Sequence, residues 1–165
     1  MPKAKDVTAT QIGAIGENLV AIRLMLESKG RLSPCKPVAD DAGIDFLVYD
    51  KKTGSAVALQ IKTRTKTIKR YPKLVQFVVR KATLKKVQNT FIVAVLFDLT
   101  IGELNVRRAW LIPISEFLRV AMKRTEYYVI HPSIDLRSQD KYLPYRCKNL
   151  GELTKRLINH IDRIK

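Results

Sequence analysis

Apolar residues recur at helical spacing near both ends of the chain. A first helix is predicted over about 9–29, where Thr8 or Thr10 can cap its start and Gly30 ends it. Its predicted core stripe consists of Ile12, Ile15, Leu19, Ile22 and Leu26. A C-terminal amphipathic helix is predicted from the apolar positions Leu150, Leu153, Leu157, Ile158 and Ile161.

Shorter segments between these helices have the pattern of strands. The first three are predicted at about 33–39, 43–50 and 55–62, and a turn containing Gly54 joins the last two as a hairpin. The continuous apolar run Phe91–Phe97 predicts a central strand that is buried on both faces. The remaining predicted strands are Leu74–Arg80, Val106–Ile112 and a late edge strand, Tyr127–His131. Two further helices are predicted, over about 82–89 and from Pro113 to about Met122.

The order of these elements defines the expected fold. One helix, three strands and then alternating strands and helices are typical of an α/β sandwich with a mixed sheet. The chain has 165 residues and no internal repeat or linker. We therefore expect a single domain over residues 1–165, in which residues 1–7 form a short basic tail.

The charge of the chain indicates a polyanionic partner. Lys and Arg number 31 against 15 Asp and Glu, which gives a formal charge of +16 and a pI near 10.1. A positive field of this size attracts nucleic acid and speeds the encounter with it. Charge alone is equally compatible with an anionic membrane surface, an acidic protein partner or a solvated lysine-rich surface.

Other features exclude several classes of protein. Cys35 and Cys147 lie far apart and form no CxxC pair, so a structural zinc site is not expected. Two free, buried thiols fit a reducing cytoplasm, and the N-terminus shows no apolar segment of a signal peptide. The longest apolar run, Phe91–Phe97, is too short to span a bilayer. We therefore expect a cytoplasmic protein without a membrane partner.

Three polar residues in the predicted hairpin can converge on one site. Side chains alternate along a strand, so Gln60 and Lys62 share a face while Leu59 and Ile61 take the other. The hairpin can bring Asp45 beside them. Asp45 and Gln60 would offer oxygen ligands to Mg²⁺ or Mn²⁺, and Lys62 would neutralise charge developing on a phosphodiester. Taken singly, each residue also fits an ordinary strand end, and nearby Asp40 and Asp41 fit a loop.

The segment GIDFLVYDKKTGSAVALQIKTR resembles the core motif of the PD-(D/E)xK, or restriction-endonuclease-like, superfamily. That motif is an Asp entering one strand and an acid-x-Lys in the next, and fourteen residues separate Asp45 from Gln60 here. The resemblance implies an αβββαβ core, with a mixed central sheet flanked by helices, and a metal-dependent endonuclease acting on DNA. The superfamily includes archaeal Holliday-junction resolvases and uncharacterised endonucleases. Many members act as homodimers, because two strands must be cut.

Two positions qualify this resemblance. Gln60 stands where the motif has an acid, so an inactive nucleic-acid-binding module on the same fold is the alternative. Several groups of the superfamily carry a glutamate in the first helix, and Gly13-Ala14-Ile15-Gly16-Glu17 resembles that element. Glu17 lies among small and apolar helical neighbours, where a carboxylate is costly without a partner. We expect Glu17 to be a fourth site residue that contributes to metal binding.

A basic segment follows Lys62 directly and predicts where nucleic acid would lie. Thr63–Lys73 interleaves cations with hydroxyls, which suits contacts to backbone phosphates. The expected contacts are Arg64, Lys66, Lys69 and Arg70. A solvated, mobile loop is the alternative, and Lys81, Lys85 and Lys86 could extend the patch. The sequence favours DNA but leaves RNA open, as well as an adaptor role in which the basic face binds a protein or a membrane.

Overall fold

A computed structural model describes residues 7–38, 43–84, 87–100 and 103–164. Most of the basic tail lies outside the described residues, as do Asp40, Asp41, Lys85 and Lys86. Helix α1 spans Ala9–Glu27 and begins with a capping box. In that box the Gln11 amide donates to Thr8 Oγ1 (3.2 Å) and the Thr8 amide donates to Gln11 Oε1 (2.8 Å).

Helix α1 is rotated from the predicted orientation. The stripe on its first half packs against the core, but Ile22 and Leu26 are exposed. The buried positions are Gly16, Val20, Ala21 and Leu24. Small residues on this line allow the helix to approach the sheet closely, which the larger predicted stripe would prevent. Periodicity identified the helix and the packing of its first half, but it placed Ile22 and Leu26 on the wrong face.

The described strands, in chain order, are β1 (Leu32–Cys35), β2 (Phe46–Asp50), β3 (Ala56–Arg64), β4 (Phe77–Arg80), β5 (Thr90–Thr100), β6 (Glu103–Pro113), β7 (Met122–Lys123), β8 (Tyr127–Ile130) and β9 (Arg146–Cys147). Among the described residues, six of these strands form a central sheet in the order β1-β2-β3-β5-β6-β9. The β3–β5 pair is parallel and the other pairs are antiparallel. The predicted mixed central sheet is therefore confirmed.

Two different layers cover the central sheet. Helices α1 and α3 (Leu150–Ile161) pack on what we call the helix-covered face, where Val48, Leu59 and Val93 are fully buried. Helix α2 (Ile114–Val120) and a small sheet in the order β4-β8-β7 pack on the sheet-covered face, around residues such as Trp110. The α/β class and the C-terminal helix are as predicted.

Other predictions need correction. The helix predicted over about 82–89 is a 3-10 turn at Lys81–Thr83, so β4 and this turn connect β3 to β5 in the described residues. Strand β8 was predicted as an edge strand, but it pairs with both β4 and β7 and lies between them. Cys35 is exposed, not buried. Cys147 is buried as predicted, and burial raises the pKa of its thiol to about 11.

Among the described residues, no helix has both the length and the apolar character needed to cross a membrane.

Candidate active site

Asp45 lies immediately before β2 and is fixed to β3 by two hydrogen bonds. Its own amide donates to the Leu59 carbonyl oxygen at 2.9 Å. The Ile61 amide donates to Oδ2 of Asp45 at 2.5 Å. The carboxylate thus occupies a place where a β-ladder would otherwise present a carbonyl oxygen. Its position relative to β3 is set by the backbone and not by a flexible side-chain contact.

Gln60 and Lys62 lie on the sheet-covered face of β3. Leu59 and Ile61 are buried in the core of the opposite face, so the predicted alternation is confirmed. The Gln60 side chain is only 3% exposed, and its amide nitrogen donates to Thr83 Oγ1 at 3.5 Å. This distance is at the limit for a hydrogen bond. The buried amide is therefore weakly satisfied by the residues that the structure describes.

Asp45, Gln60 and Lys62 line the same cavity. A cavity of about 400 Å³ is lined by Gly43, Asp45, Gln60, Lys62, Val78, Arg80 and Thr83. Asp45, Gln60 and Lys62 thus lie around one cavity, as the hairpin interpretation requires. Their catalytic and metal-binding roles stay predictions.

The sequence interpretation missed the other wall of this cavity. Val78 and Arg80 alternate along β4 and therefore share a face. Their placement opposite Lys62 depends on the pairing of β4 with β8, about fifty residues further along the chain. No local sequence pattern predicts a pairing between strands so far apart in the chain. The period-2 alternation in β4 was the one available signal, and it does not tell what the strand packs against.

Gly43 keeps the cavity open. Its φ is +62°, and a Cβ atom there would lie 2.3 Å from the Thr83 carbonyl oxygen and 2.8 Å from Nε2 of Gln60. A side chain at this position would collide with the residue that holds the Gln60 amide. Both the backbone conformation and the close contacts therefore require glycine here.

The cavity carries more positive than negative charge. Of the residues that the structure describes, Lys62 and Arg80 line it together with one carboxylate, that of Asp45. Neither cation forms a hydrogen bond or an ion pair with another described residue, so both can bind an anion. In the part of the chain that the structure describes, no group of three or more His, Cys, Asp and Glu side chains is placed to hold a metal ion.

Glu17 does not line this cavity. Its carboxylate pairs with Lys36 Nζ at 3.3 Å, and its side chain is 23% exposed. The neighbouring Gly16 lies against Thr63, which points to the helix-covered face, opposite to Gln60 and Lys62. The predicted role of Glu17 in metal binding stays a prediction without support from the contacts of the cavity.

The basic segment after β3 is an ordered loop. Short β-bridges join Ile68 to Tyr71 and Leu74 to Ser133. Arg64 ends β3 two residues after Lys62, and its guanidinium donates to the carbonyl oxygens of Gln76 and Thr63, each at 3.1 Å. A second hollow of about 320 Å³ is lined by Arg64, Lys66, Thr67, Ile68 and Gln76.

The other predicted phosphate contacts lie on the surface of the same loop. Lys66, Lys69 and Arg70 are at least partly exposed, and the Arg70 guanidinium lies 5.6 Å from the centre of the Tyr71 ring. The loop therefore presents cations to solvent beside the cavity. Nucleic-acid binding by these residues stays a prediction.

Comparison with solved structures identifies a similar fold. The chain is similar to the bacterial homing endonuclease I-Ssp6803I, with a TM-score of 0.56. The alignment covers 94% of this chain and 97% of that chain at 18% sequence identity. No protein-family model matches the chain, and no curated protein matches it. At this identity, the likeness shows that the chain shares the fold of a nuclease.

Proposed function

We propose that this protein is a divalent-metal-dependent endonuclease that hydrolyses phosphodiester bonds in DNA, with a PD-(D/E)xK-type site in which Gln60 takes the place of an acid. The observation that carries the proposal is that Asp45, Gln60 and Lys62 line one cavity. The shared fold adds support, because the similar structure is that of a homing endonuclease. The charge of +16 favours a polyanionic substrate.

The donor set of the cavity fits Mg²⁺ or Mn²⁺. Asp45 provides a carboxylate, and Gln60 provides an amide oxygen, both of which are hard ligands that these ions prefer. The 3.5 Å hydrogen bond to Thr83 uses the amide nitrogen of Gln60 and leaves the amide oxygen, the atom that would bind the metal, out of this contact. When bound, the metal ion would polarise the phosphodiester and lower the pKa of a water molecule.

The residues of the chain would position and neutralise the substrate. Lys62 and Arg80 attract a phosphate into the cavity and offset the negative charge that develops when water attacks phosphorus and one P–O ester bond breaks. The Ile61 amide holds the Asp45 carboxylate in place throughout. Arg64 and Lys66, in the adjacent hollow, would contact the phosphates next to the cleaved bond.

Cleavage by the wild type and by Asp45→Asn tests the proposal. The assay uses linear, flap and four-way-junction DNA with Mg²⁺ or Mn²⁺. Asparagine can still accept the Ile61 hydrogen bond but loses the anionic ligand, so cleavage should fall at least about 100-fold. Glu27→Gln removes the same charge from an exposed residue of α1 and should cut like the wild type.

One observation favours a second candidate function, a non-catalytic nucleic-acid-binding module. Among the described residues, the cavity has two cations and a single carboxylate, which suits phosphate binding better than tight metal binding. This alternative is correct if the wild type cuts no substrate faster than Asp45→Asn while both proteins bind DNA with the same salt dependence. Binding that stays flat across a salt titration would argue against both candidates and for the adaptor role.

A further inference from the structure

Arg108 lies on the same sheet face as the candidate active site, two strands away from β3. In the sheet register, Arg64 of β3 pairs with Leu96 of β5, and Leu96 pairs with Arg108 of β6. Paired residues point to the same face, so the two arginines are about 10 Å apart across two strand spacings. Lys62 lies one step along β3 from Arg64 on that face. Arg108 is therefore a neighbour of the site in the fold, although it is 46 positions after Lys62 in the sequence.

The guanidinium of Arg108 has a buried donor that no described residue satisfies. Its Nε is buried without a hydrogen-bond acceptor, and the residue is half-buried. Burial lowers the pKa of this side chain, and the like charges of Arg146 and Arg107 lower it further. Arginine presents five donors, and leaving a buried one unpaired opposes folding. The Glu152 carboxylate raises this pKa and offsets part of the effect, but Nε of Arg108 still lacks a hydrogen-bond acceptor among the described residues.

The two arginines beside Arg108 are satisfied. Arg146 is 7% exposed and donates to the carbonyl oxygens of Asp135 (2.5 Å), Leu136 (3.2 Å) and Ser138 (3.0 Å). Arg107 lies 3.8 Å from the carboxylate of Asp98. Both have a role in holding the fold together, but Arg146 brings no neutralising carboxylate. Its charge adds to the positive potential around Arg108 and draws an anion towards it.

We propose that Arg108 forms a second phosphate subsite, which binds a backbone phosphate of the nucleic acid whose reacting phosphodiester occupies the Asp45–Gln60–Lys62 cavity. The inference rests on the proposed function and extends it to the path of the substrate. Cations at Lys62, Arg64 and Arg108 would then follow the backbone across the sheet-covered face. A phosphate oxygen supplies the acceptor that the guanidinium lacks, in a strong, charge-assisted hydrogen bond.

The subsite predicts opposite effects on stability and on binding. Arg108→Met keeps much of the side-chain length and removes a charge that opposes folding, so the free protein should melt at the same temperature as the wild type or higher. Affinity for duplex DNA should fall about tenfold, and the slope of log K against log salt concentration should decrease by about 1. A purely structural arginine would lower the melting temperature and leave the slope unchanged.

Fluorescence anisotropy with a labelled DNA duplex across a KCl series measures affinity and slope, and thermal unfolding measures stability. The control, Arg163→Met, removes an equal charge from an exposed residue of the turn that follows α3. Arg108→Lys keeps the charge and loses the planar fork, so it should keep the slope and bind more weakly than the wild type. If Arg108→Met fails to fold, Arg108→Lys and the wild type still decide the proposal, since equal affinities would overturn it.

Each outcome separates this subsite from the proposed function. If Arg108→Met and Arg163→Met bind DNA equally well and with equal slopes, the subsite is wrong, while cleavage that depends on Asp45 would leave the proposed function intact. If the salt slope of DNA binding is smaller for Arg108→Met than for the wild type, but the wild type cuts no DNA, the subsite is supported and the catalytic proposal is wrong. If inorganic phosphate raises the melting temperature of the wild type only, with DNA binding unchanged, the site binds free phosphate and the proposal is overturned.

Discussion

A polar cluster on each face of the central sheet shows a different degree of hydrogen bonding. On the helix-covered face, Asp50 is fully buried and receives four hydrogen bonds. Arg31 donates two of them, at 2.8 and 2.6 Å, and the Lys52 amide and the Thr53 hydroxyl donate the others. Arg31 also pairs with Asp162 at the end of α3, 2.6 Å away. This network joins β2, its turn and the C-terminal helix.

On the sheet-covered face, the polar side chains in and beside the cavity have few partners. The Gln60 amide nitrogen donates to Thr83 at 3.5 Å, and Nε of Arg108 has no hydrogen-bond partner among the described residues. Lys62 faces the cavity. A network as complete as that of Asp50 contributes to folding and leaves nothing for a ligand. The incompletely hydrogen-bonded side chains of Gln60 and Arg108 lower the stability of the fold, and a bound metal ion or phosphate would compensate for that loss.

Removing Asp50 should cause the largest loss of stability in the molecule. Asp50→Ala removes the fully buried member of the pair and leaves the half-buried Arg31 guanidinium with only Asp162, and breaking such a pair costs about 3–5 kcal/mol. Asp45→Asn, at the other end of β2, should change the unfolding free energy by less than about 1 kcal/mol, because the amide can still accept from Ile61. Urea unfolding of both variants measures the contrast. Equal losses would show that the two faces do not differ in this way.

Acid should weaken the helix-covered face through the same residue. The hydrogen bonds from Arg31 hold the pKa of Asp50 well below its usual range. A lowered folded-state pKa stabilises the protein above about pH 4, the pKa of an unfolded aspartate, and this contribution is lost as the pH falls towards the folded value. The unfolding free energy of the wild type should therefore fall more steeply below about pH 4 than that of Asp50→Asn. Parallel pH curves would contradict the prediction.

A matched pair of glycines tests how closely α1 packs on the helix-covered face. A Cβ atom on Gly16 would lie 2.1 Å from Cγ2 of Thr63 and must displace the helix or the strand. We expect Gly16→Ala to destabilise the protein by about 1–3 kcal/mol. A Cβ atom on Gly13 would meet no described residue outside its own helix within 4 Å, so Gly13→Ala should be neutral or stabilise by up to about 1 kcal/mol. Thermal unfolding distinguishes them, and similar melting temperatures would mean that α1 is not closely packed.

The sequence predicted local features better than the contacts between distant segments. The hairpin register that sets Gln60 and Lys62 on one face depends on the turn at Gly54 and on alternation, which are both local. The predicted stripe of α1 was wrong in its second half, at Ile22 and Leu26, because the packing face depends on contacts with strands that are distant in the sequence. The helix predicted over about 82–89 failed because β4 and the turn at Lys81–Thr83 make the connection.

The candidate site follows the same division. Asp45, Gln60 and Lys62 lie within one hairpin, so strand geometry was enough to place them together. Arg80 and Arg108 belong to strands whose neighbours are set by pairings between β4 and β8 and between β5 and β6. A single arginine in a strand has no sequence signature of an unsatisfied charge. Its burial and its missing acceptor become visible only in the folded chain.

The smallest predicted effect concerns the metal ion on the sheet-covered face. Gln60→Glu restores the acid of the PD-(D/E)xK pattern at a position that is 3% exposed and beside Asp45. A second carboxylate increases the negative charge of the donor set, so the Mg²⁺ concentration that gives half of the maximal thermal stabilisation should fall about tenfold. The matched control, Gln76→Glu, adds the same charge at an exposed residue of the neighbouring hollow and should leave this concentration unchanged. If Mg²⁺ stabilises Gln60→Glu and the wild type at the same concentration, Gln60 is not a metal ligand. The incomplete hydrogen bonding of the sheet-covered face would then serve phosphate binding alone.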